Sequence, residues 1–204
     1  MTQEIRDPTH FKAAASYDAI LTYAKAKRIC ELCVVIAIAP PVLITTALAA
    51  LATLGTIGGP VLDKQECAGK DGRLFRQLKL RTRAEGNGSE HPRPTLLGRF
   101  LEDSRLAELP QLWNVLVGDM SIVGPCPESP REANLSREKV PNYELCQSVR
   151  PGITGYAQVF LGRASASTRI EYDLHYIRRM NATVDLMIVW HSLFPFVARH
   201  NHVL

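Results

Sequence analysis

The sequence predicts an α+β protein: a compact, mostly helical domain with a small β-hairpin, preceded by a segment that enters a membrane. Three observations lead to this fold class. An uncharged apolar stretch covers Leu32–Leu62. Two strand-like pieces around a Gly-containing turn follow it. The remaining chain repeats apolar residues at helical spacing. With 204 residues, the chain has room for one sizeable domain beside a membrane anchor.

The apolar stretch holds 31 residues without a charge, and about 20 helical residues cross a bilayer core. It is too long, and starts too late, for a secretory signal peptide. Pro40 and Pro41 lack backbone donors, which should kink or break a helix. Both flanks carry Lys and Arg, which favour the cytoplasmic side. A kinked single pass and a re-entrant helix–break–helix both fit these features.

The β-hairpin is predicted from the segment directly after the anchor. Pro60–Leu62 begins a strand, Cys67–Gly72 has turn residues, and Arg73–Arg81 can pair back. Farther along, Gly124–Pro130 is predicted to be extended, and Arg150–Gly155 is predicted to be a turn-rich loop.

Helices are predicted where apolar residues recur at helical spacing. Leu96–Leu116 has this spacing, and Pro110 should divide it into two helices. Shorter helices are predicted near Ser129–Val140 and over Ile170–Met180. The apolar stretch Val184–Val197 suits either an interfacial helix lying on a membrane or a helix of the core.

Composition and known motifs exclude several classes of protein. A net charge of +4 is too small to choose among anionic lipid, phosphate-bearing substrates and nucleic acid. Five cysteines, an odd number, argue against a disulfide framework and for a reducing compartment. The sequence also has no complete dinucleotide fingerprint, no phosphate-binding P-loop and no HExxH zinc motif.

One long segment carries a family signature. Leu97–Glu128 reads LGRFLEDSRLAELPQLWNVLVGDMSIVGPCPE. It resembles the signature block of the bacterial sugar transferase family, the monotopic phosphoglycosyl transferases that start glycan assembly on a polyprenyl phosphate carrier. Gly59–Gly69, Lys79–Thr82 and Arg150–Gln158 resemble further blocks of the family, in the same order. The resemblance covers roughly residues 26–192, most of the chain.

The resemblance implies a reaction and its partners. A nucleotide sugar, usually a UDP-sugar, gives its phosphosugar to polyprenyl phosphate, and UMP leaves. Members use an Asp-Glu dyad with Mg²⁺. The aspartate attacks phosphorus and becomes a covalent intermediate, and the metal neutralises diphosphate charge. Downstream glycosyltransferases are candidate partners in the same glycan assembly, and nucleic acid is not an expected partner.

The resemblance also implies a location. It favours the re-entrant form of the anchor, with Pro40 and Pro41 at the break, so that the protein lies in the lipid of the bacterial inner membrane at its cytoplasmic face. The predicted organisation is an N-terminal extension over residues 1–24, a re-entrant anchor over 25–62, and a cytoplasmic transferase-like domain over 63–204 that ends in an interfacial helix.

The matching blocks carry candidate site residues. The dyad falls on Ala107 and Glu108, so Glu108 is the expected catalytic carboxylate and metal ligand. Substrate contacts are implied for basic residues and loop prolines of the matching blocks: Lys79, Arg81, Arg99, Arg150, Arg163, Pro125 and Pro127.

This sequence departs from the family pattern around the dyad. Ala107 stands at the nucleophile position, and a methyl group can neither attack phosphorus nor bind a metal. Glu102 stands where the family has an arginine. Cys126 replaces the arginine of the family's Pro-Arg-Pro. We therefore expect phosphosugar transfer to be impaired in this chain.

Four hypotheses account for the departures. The chain is a transferase inactivated by an Asp→Ala change at position 107, or it is a natural inactive homologue that binds nucleotide sugar or lipid carrier or scaffolds glycan assembly. A third hypothesis gives the attack to Glu108 or Cys126, although a one-residue shift rotates a helical side chain by about 100°. The fourth is a membrane-tethered nucleic-acid-binding module based on the basic residues of 64–83, which no aromatic-basic motif accompanies.

Overall fold

A computed structural model describes residues 8–83, 95–161 and 164–194, with side chains from residue 22 onward. The chain begins with one long helix, α1, over Pro8–Thr56. By length and composition, the part Thr22–Thr56 could cross a membrane. It covers residues 25–56 of the predicted anchor, whereas residues 57–62 lie beyond the end of the helix.

Helix α1 continues through Pro40 and Pro41, so one continuous helix replaces the predicted helix–break–helix. A proline removes only its own N–H and the carbonyl partner one turn earlier, and apolar surroundings strongly favour keeping all other backbone hydrogen bonds within the helix. The Thr45 hydroxyl, one turn on, donates to the Pro41 carbonyl oxygen at 2.8 Å.

Both ends of the apolar stretch contact the same folded domain. Val35 is buried in a cluster with Met120, and Ala49 in another with Leu101. The large side chains between these two points are exposed, Leu43 among them. Fourteen residues of helix separate Val35 from Ala49, which is about 21 Å. The domain is therefore contacted on both sides of the exposed part of the helix.

A buried polar network fixes the start of this stretch to the domain. The Lys27 ammonium lies 2.8 Å from a carboxylate oxygen of Asp185. It also donates to the hydroxyl of Tyr176 at 2.9 Å and to the carbonyl oxygen of Val123 at 2.6 Å. One turn later, the Glu31 carboxylate accepts the backbone N–H of the residue after Ser121 at 2.9 Å. Such paired charges tolerate burial because each one has partners.

The predicted β-hairpin is confirmed. Strand β1, Leu62–Ala68, pairs antiparallel with β2, Leu74–Leu80. A short 3-10 turn over Lys70–Gly72 joins them, and Asp71 and Gly72 adopt positive φ angles of 56° and 73°. Asp and Gly are residues that tolerate this conformation.

A second, parallel pair of strands was not predicted. Strands β3, Ser121–Val123, and β4, Gly152–Thr154, have three residues each. Three residues are too few to show a strand pattern. Their close approach depends on Gly152, because a Cβ atom there would overlap the backbone nitrogen of Gly124.

Helices make up most of the remainder, and their bounds follow. They are α2 Leu96–Asp103, α3 Gln111–Val117, α4 Pro130–Lys139, α5 Glu144–Gln147, α6 Tyr156–Phe160, α7 Ala166–Arg179 and α8 Ala182–Leu193. The predicted division before Pro110 is confirmed, as are the helices predicted at α4 and α7. Ser129 and Glu132 form a capping box at the start of α4. The short helices α5 and α6 were not predicted.

The last helix combines the two alternatives left open for it. Ile188 and Asp185 of α8 are buried in the domain. Leu186, Trp190 and Leu193 are exposed. One side of α8 therefore belongs to the core, while the other presents a large apolar surface.

Candidate active site

The dyad positions lie on a short 3-10 turn, Leu106–Glu108, between α2 and α3. Arg105 before it has a left-handed φ of 63°, which reverses the chain after α2. The turn points its successive side chains in different directions. Ala107 faces inward, and Glu108 faces a set of cavities.

Ala107 is 6% exposed and clusters with Ala49, Leu80 and Leu101. Its methyl group therefore packs against the membrane helix α1 and the hairpin. The same residue also lines a cavity. A larger polar side chain at this position would project from an apolar cluster toward that cavity.

Glu108 is held in an ion pair with Arg105, whose Nη1 lies 3.2 Å and 3.3 Å from the two carboxylate oxygens. In its better-satisfied orientation, the side-chain amide of Gln158 also accepts from this Nη1, at 2.8 Å. The pair positions Glu108, and each of its oxygens accepts one contact from Arg105.

Three cavities meet at Glu108. The first, which we call the polar cavity, has a volume of about 270 Å³. Polar residues of the hairpin, α3 and α7 line it, among them Gln65, Lys79, Gln111, Arg169 and Asp173, and Glu128 and Glu132 add two further carboxyl groups. The loop Pro125-Cys126-Pro127 forms another wall. The polar cavity offers both cationic and hydrogen-bonding groups to a ligand.

The second, the basic cavity, has a volume of about 540 Å³ and shares Lys79 and Glu108 with the first. Arg81 and Arg83 also line it, as do the carboxyl groups of Asp63 and Glu102. Glu102, which stands at the family's arginine position, accepts a 2.6 Å hydrogen bond from the Thr82 hydroxyl. Its negative charge at the cavity wall opposes anion binding.

The third cavity, the apolar groove, has a volume of about 160 Å³. Its walls are aliphatic side chains from α3, the parallel strands and α8: Leu112, Ile122, Ile153, Val189 and Leu193. Arg105 and Glu108 lie at this groove too. A single ion pair is thus reached from two polar cavities and one apolar groove.

Asp173 is a buried acid in the polar cavity. Burial raises its pKa to about 7, against a hydrogen bond from the backbone N–H of Cys126 at 2.9 Å. The backbone N–H of Ala157 also lowers this pKa, although neither the second oxygen of Asp173 nor Nε of Arg169 in the same cavity makes a hydrogen bond of good geometry among the described residues. Unsatisfied buried polar atoms are costly, so both atoms are suited to a polar ligand.

Cys126 is a poor nucleophile. Burial raises its thiol pKa to about 11, reinforced by the nearby Asp173 carboxylate. Because the thiolate is the reactive form, almost all of this cysteine is an unreactive thiol at neutral pH. The hypothesis that Cys126 replaces the missing nucleophile is therefore disfavoured.

Comparison with known proteins settles the family. The model of the family described as "Bacterial sugar transferase" matches residues 22–199. This chain belongs to the bacterial sugar transferase family.

Three curated relatives illustrate the similarity. The UDP-glucose:undecaprenyl-phosphate glucose-1-phosphate transferase of Escherichia coli K12 is 38% identical over 71% of this chain and 34% of its own length. A UDP-N-acetylgalactosamine-undecaprenyl-phosphate N-acetylgalactosaminephosphotransferase of Aeromonas hydrophila is 36% identical over 66% of this chain and 35% of its own. The exopolysaccharide production protein PSS of Rhizobium leguminosarum bv. phaseoli is 35% identical over 69% of this chain and 80% of its own. The chain spans about a third of the first two relatives.

The magnesium ion expected for this family finds few ligands here. Among the described residues, no group of three or more His, Cys, Asp or Glu side chains could hold a metal ion. Ala107 supplies no oxygen, and both oxygens of Glu108 contact Arg105. Magnesium needs octahedral oxygen ligation, usually from one or two carboxylates with substrate phosphates. Of the two expected dyad positions, only Glu108 could supply a ligand oxygen beside substrate phosphates, and the magnesium ion stays a prediction.

The site residues implied by the family resemblance separate into two groups. Lys79, Pro125 and Pro127 line the polar cavity, and Lys79 and Arg81 line the basic cavity. Arg99 is exposed on α2, outside the three cavities that meet at Glu108. The substrate-binding roles of this first group stay predictions.

Arg150 lies elsewhere. Its Nε donates to the carbonyl oxygen of Gly118 at 2.7 Å, and it lines cavities that Glu108 does not reach. Arg163 is outside the described residues. Substrate-binding roles for both stay predictions.

Sequence reasoning missed Arg169 and Asp173 as members of the polar cavity. Ile170, Asp173 and Ile177 lie on one buried face of α7. A charged residue among apolar residues at spacings of three and four is an unusual pattern. The sequence shows this pattern, but it does not show which other residues line the cavity with Asp173.

Proposed function

We propose that this chain is the membrane-bound domain of a UDP-sugar:polyprenyl-phosphate phosphosugar transferase, and that its transfer activity is impaired. The meeting of two polar cavities and one apolar groove at Glu108 carries the proposal. A reaction between a charged nucleotide sugar and a lipid phosphate needs these two kinds of environment at one point. The names of the Escherichia coli and Aeromonas relatives specify such substrate pairs.

Binding of the nucleotide sugar is assigned to the two polar cavities. Lys79 lies at the wall they share, and Arg169 and Arg81 line one cavity each. Cationic side chains bind phosphate oxygens through charge-assisted hydrogen bonds. The Pro125-Cys126-Pro127 wall lacks the arginine of the family pattern. We assign the phosphate-binding role of that arginine to Arg169, which lines the same cavity.

Impairment follows from what the turn presents. At position 107 an aspartate would form a P–O bond to the sugar-bearing phosphorus as the bond to UMP breaks. Ala107 has no lone pair to do so. Glu108 lines the same basic cavity as Ala107 but is held in an ion pair with Arg105. We therefore expect this chain to bind the substrates without catalysing the transfer.

A second candidate function has one observation in its favour. The cavities around Glu108 are intact although the nucleophile is absent. An inactive homologue that binds nucleotide sugar or lipid carrier, or that scaffolds downstream glycosyltransferases for exopolysaccharide assembly, would keep these cavities.

The membrane placement that we favour keeps α1 as one continuous helix on the cytoplasmic side of the bacterial inner membrane, without crossing it. Val35 and Ala49 both contact the one domain, about 21 Å apart along the helix. A helix crossing a bilayer would carry its ends to opposite sides, ~30 Å apart. Protease protection that places residues 1–24 and the domain on opposite faces would contradict this topology.

Turnover and binding test the function. The purified chain is incubated with polyprenyl phosphate, Mg²⁺ and UDP-glucose or UDP-N-acetylgalactosamine, and released UMP is measured. We expect almost no UMP from the chain as it stands and clear release from Ala107→Asp. Robust turnover by the unchanged chain would refute impairment. If Ala107→Asp releases no UMP but still binds the UDP-sugar, the result would favour the binding protein. If it neither releases UMP nor binds the UDP-sugar, the transferase proposal would be refuted.

A further inference from the structure

The apolar groove differs from the two other cavities at Glu108 because its walls offer almost no hydrogen bonds. Leu112, Ile153 and Val189 line it from three different elements. A nucleotide or a sugar would lose its hydration there without compensation. The ligand that suits these walls is a hydrocarbon.

Polar groups concentrate at a few positions in the groove, and two of them are suited to an anion. The Arg105 guanidinium has five donors, and its contacts to Glu108 and Gln158 both use Nη1. Within the described residues, Nη2 and Nε are therefore available to another acceptor. Thr154, a residue 6% exposed, lines the groove, and its buried hydroxyl has no hydrogen-bond partner among the described residues.

The groove is continuous with the apolar surface of the chain. Leu193 lines the groove and is also 66% exposed. On the same helix α8, Trp190 and Phe194 stack with ring centroids 4.6 Å apart, and both are exposed. Large exposed apolar surfaces with aromatic residues are typical of contact with a membrane interface. A hydrocarbon chain that leaves the groove along α8 would enter the lipid of the membrane.

We propose that this groove holds the first isoprene units of polyprenyl phosphate, with the phosphate bound by Arg105 and Thr154. The inference rests on the proposed function for the identity of the lipid. It assigns to the acceptor an entrance along α8, separate from the polar and basic cavities that take the nucleotide sugar. The nucleotide sugar then reaches Glu108 from the polar and basic cavities, and the lipid phosphate reaches it from the apolar groove.

Photocrosslinking in nanodiscs tests the site without requiring turnover. The full chain is labelled with a polyprenyl phosphate that carries a photoreactive group near the phosphate, and the labelled peptides are mapped. We expect labels on α3 and α8, competition by undecaprenyl phosphate, and at least tenfold weaker competition by undecaprenol, because the alcohol lacks the charged hydrogen bonds. Free phosphate should not compete at matched concentrations. Labels confined to the basic cavity would overturn the inference.

Matched variants separate the groove from general membrane attachment. Ser192→Phe fills the groove from α8, whereas Leu186→Phe alters an exposed position on the same helix. The first should weaken lipid binding about tenfold or more, and the second should leave it unchanged. Thr154→Val and Arg105→Gln should each reduce the preference for phosphate over alcohol. If the two α8 variants bind the lipid equally well, the groove is not the lipid-binding site.

UDP-sugar binding, measured in parallel, distinguishes the two proposals. Retained UDP-sugar binding by Ser192→Phe shows that the variant is folded. If the parent binds the UDP-sugar but no lipid label is found in the groove, the lipid site in the groove is refuted and the proposed function is not. Lipid labelling in the groove without UDP-sugar binding would remove the proposed function and leave a lipid-phosphate site.

Discussion

Replacing Lys27 by methionine should loosen the membrane helix from the domain. The Lys27 ammonium is almost fully buried and contacts Asp185, Tyr176 and the carbonyl oxygen of Val123. The replacement keeps most of the apolar stem and removes the charge. The carboxylate of Asp185 is then left buried without a cation.

The expected cost lies at the lower end of what such losses cause. Removing one partner of a buried ion pair costs about 3–5 kcal/mol. Asp185 keeps two donors, the hydroxyls of Tyr176 at 2.6 Å and Tyr23 at 2.8 Å. We therefore expect a loss of about 3 kcal/mol in the free energy of unfolding, or a midpoint about 6–12 °C lower for a chain of this size.

Thermal unfolding in nanodiscs, together with limited proteolysis of α1, measures the effect. Lys25→Met is the matched control, because Lys25 is exposed on the same helix two residues earlier. The double variant Lys27→Met/Asp185→Leu should regain part of the loss, since an apolar pair avoids the buried charge. If Lys27→Met is as stable and as protease-resistant as Lys25→Met, the network does not hold α1 to the domain.

Three further predictions concern the domain itself. Burial raises the pKa of Asp173 to about 7, above the ~3.9 of an exposed Asp. The stability contributed by its protonated form is full below pH ~4 and is lost as the pH rises through 7. Asp173→Asn should therefore stabilise the protein at pH 8, by on the order of 2–4 kcal/mol, and hardly at pH 4, as measured by urea unfolding. Gly152→Ala should prevent folding, judged by circular dichroism, because a Cβ atom would overlap the neighbouring strand, whereas Gly55→Ala has open space around it. Cys126 should react with iodoacetamide at pH 7.5 at least tenfold more slowly than exposed Cys30.

Each of these predictions has a result that contradicts it. An Asp173→Asn variant with the same pH dependence as the parent would show that this acid is not the buried titrating group. A folded Gly152→Ala protein would show that the parallel strands separate without cost. Rapid alkylation of Cys126 in the folded chain would restore it as a candidate nucleophile.

Local patterns predicted much of the fold. The hairpin, the division of Leu96–Leu116 and the capped helix α4 all follow from residues close together in sequence. Turn residues, prolines and caps act through neighbouring backbone atoms. The parallel pair β3–β4 was not predictable in this way. Its three-residue strands are held by Gly152 and Gly124, which are distant in the chain and meet only in the folded domain.

The continuous helix α1 shows a limit of local rules. Proline was expected to break the helix at Pro40, and the helix continues. The rule describes a cost in backbone hydrogen bonds and not an obligatory end. In an apolar segment the remaining backbone groups have no partner outside the helix, so continuing it is the cheaper state.

By itself, the sequence determined the uncharged apolar stretch, the blocks that match the family and the alanine at position 107, because these are properties of residue type and order. Only the tertiary structure decided which cationic residues share a cavity with Glu108. Arg169 and Lys79 reach the polar cavity from helix and hairpin, whereas Arg150, from an equally matching block, binds Gly118 on another side. Packing brings distant segments together, and the direction of a side chain depends on that packing. The meeting of two polar cavities and an apolar groove at one carboxylate belongs to the fold alone.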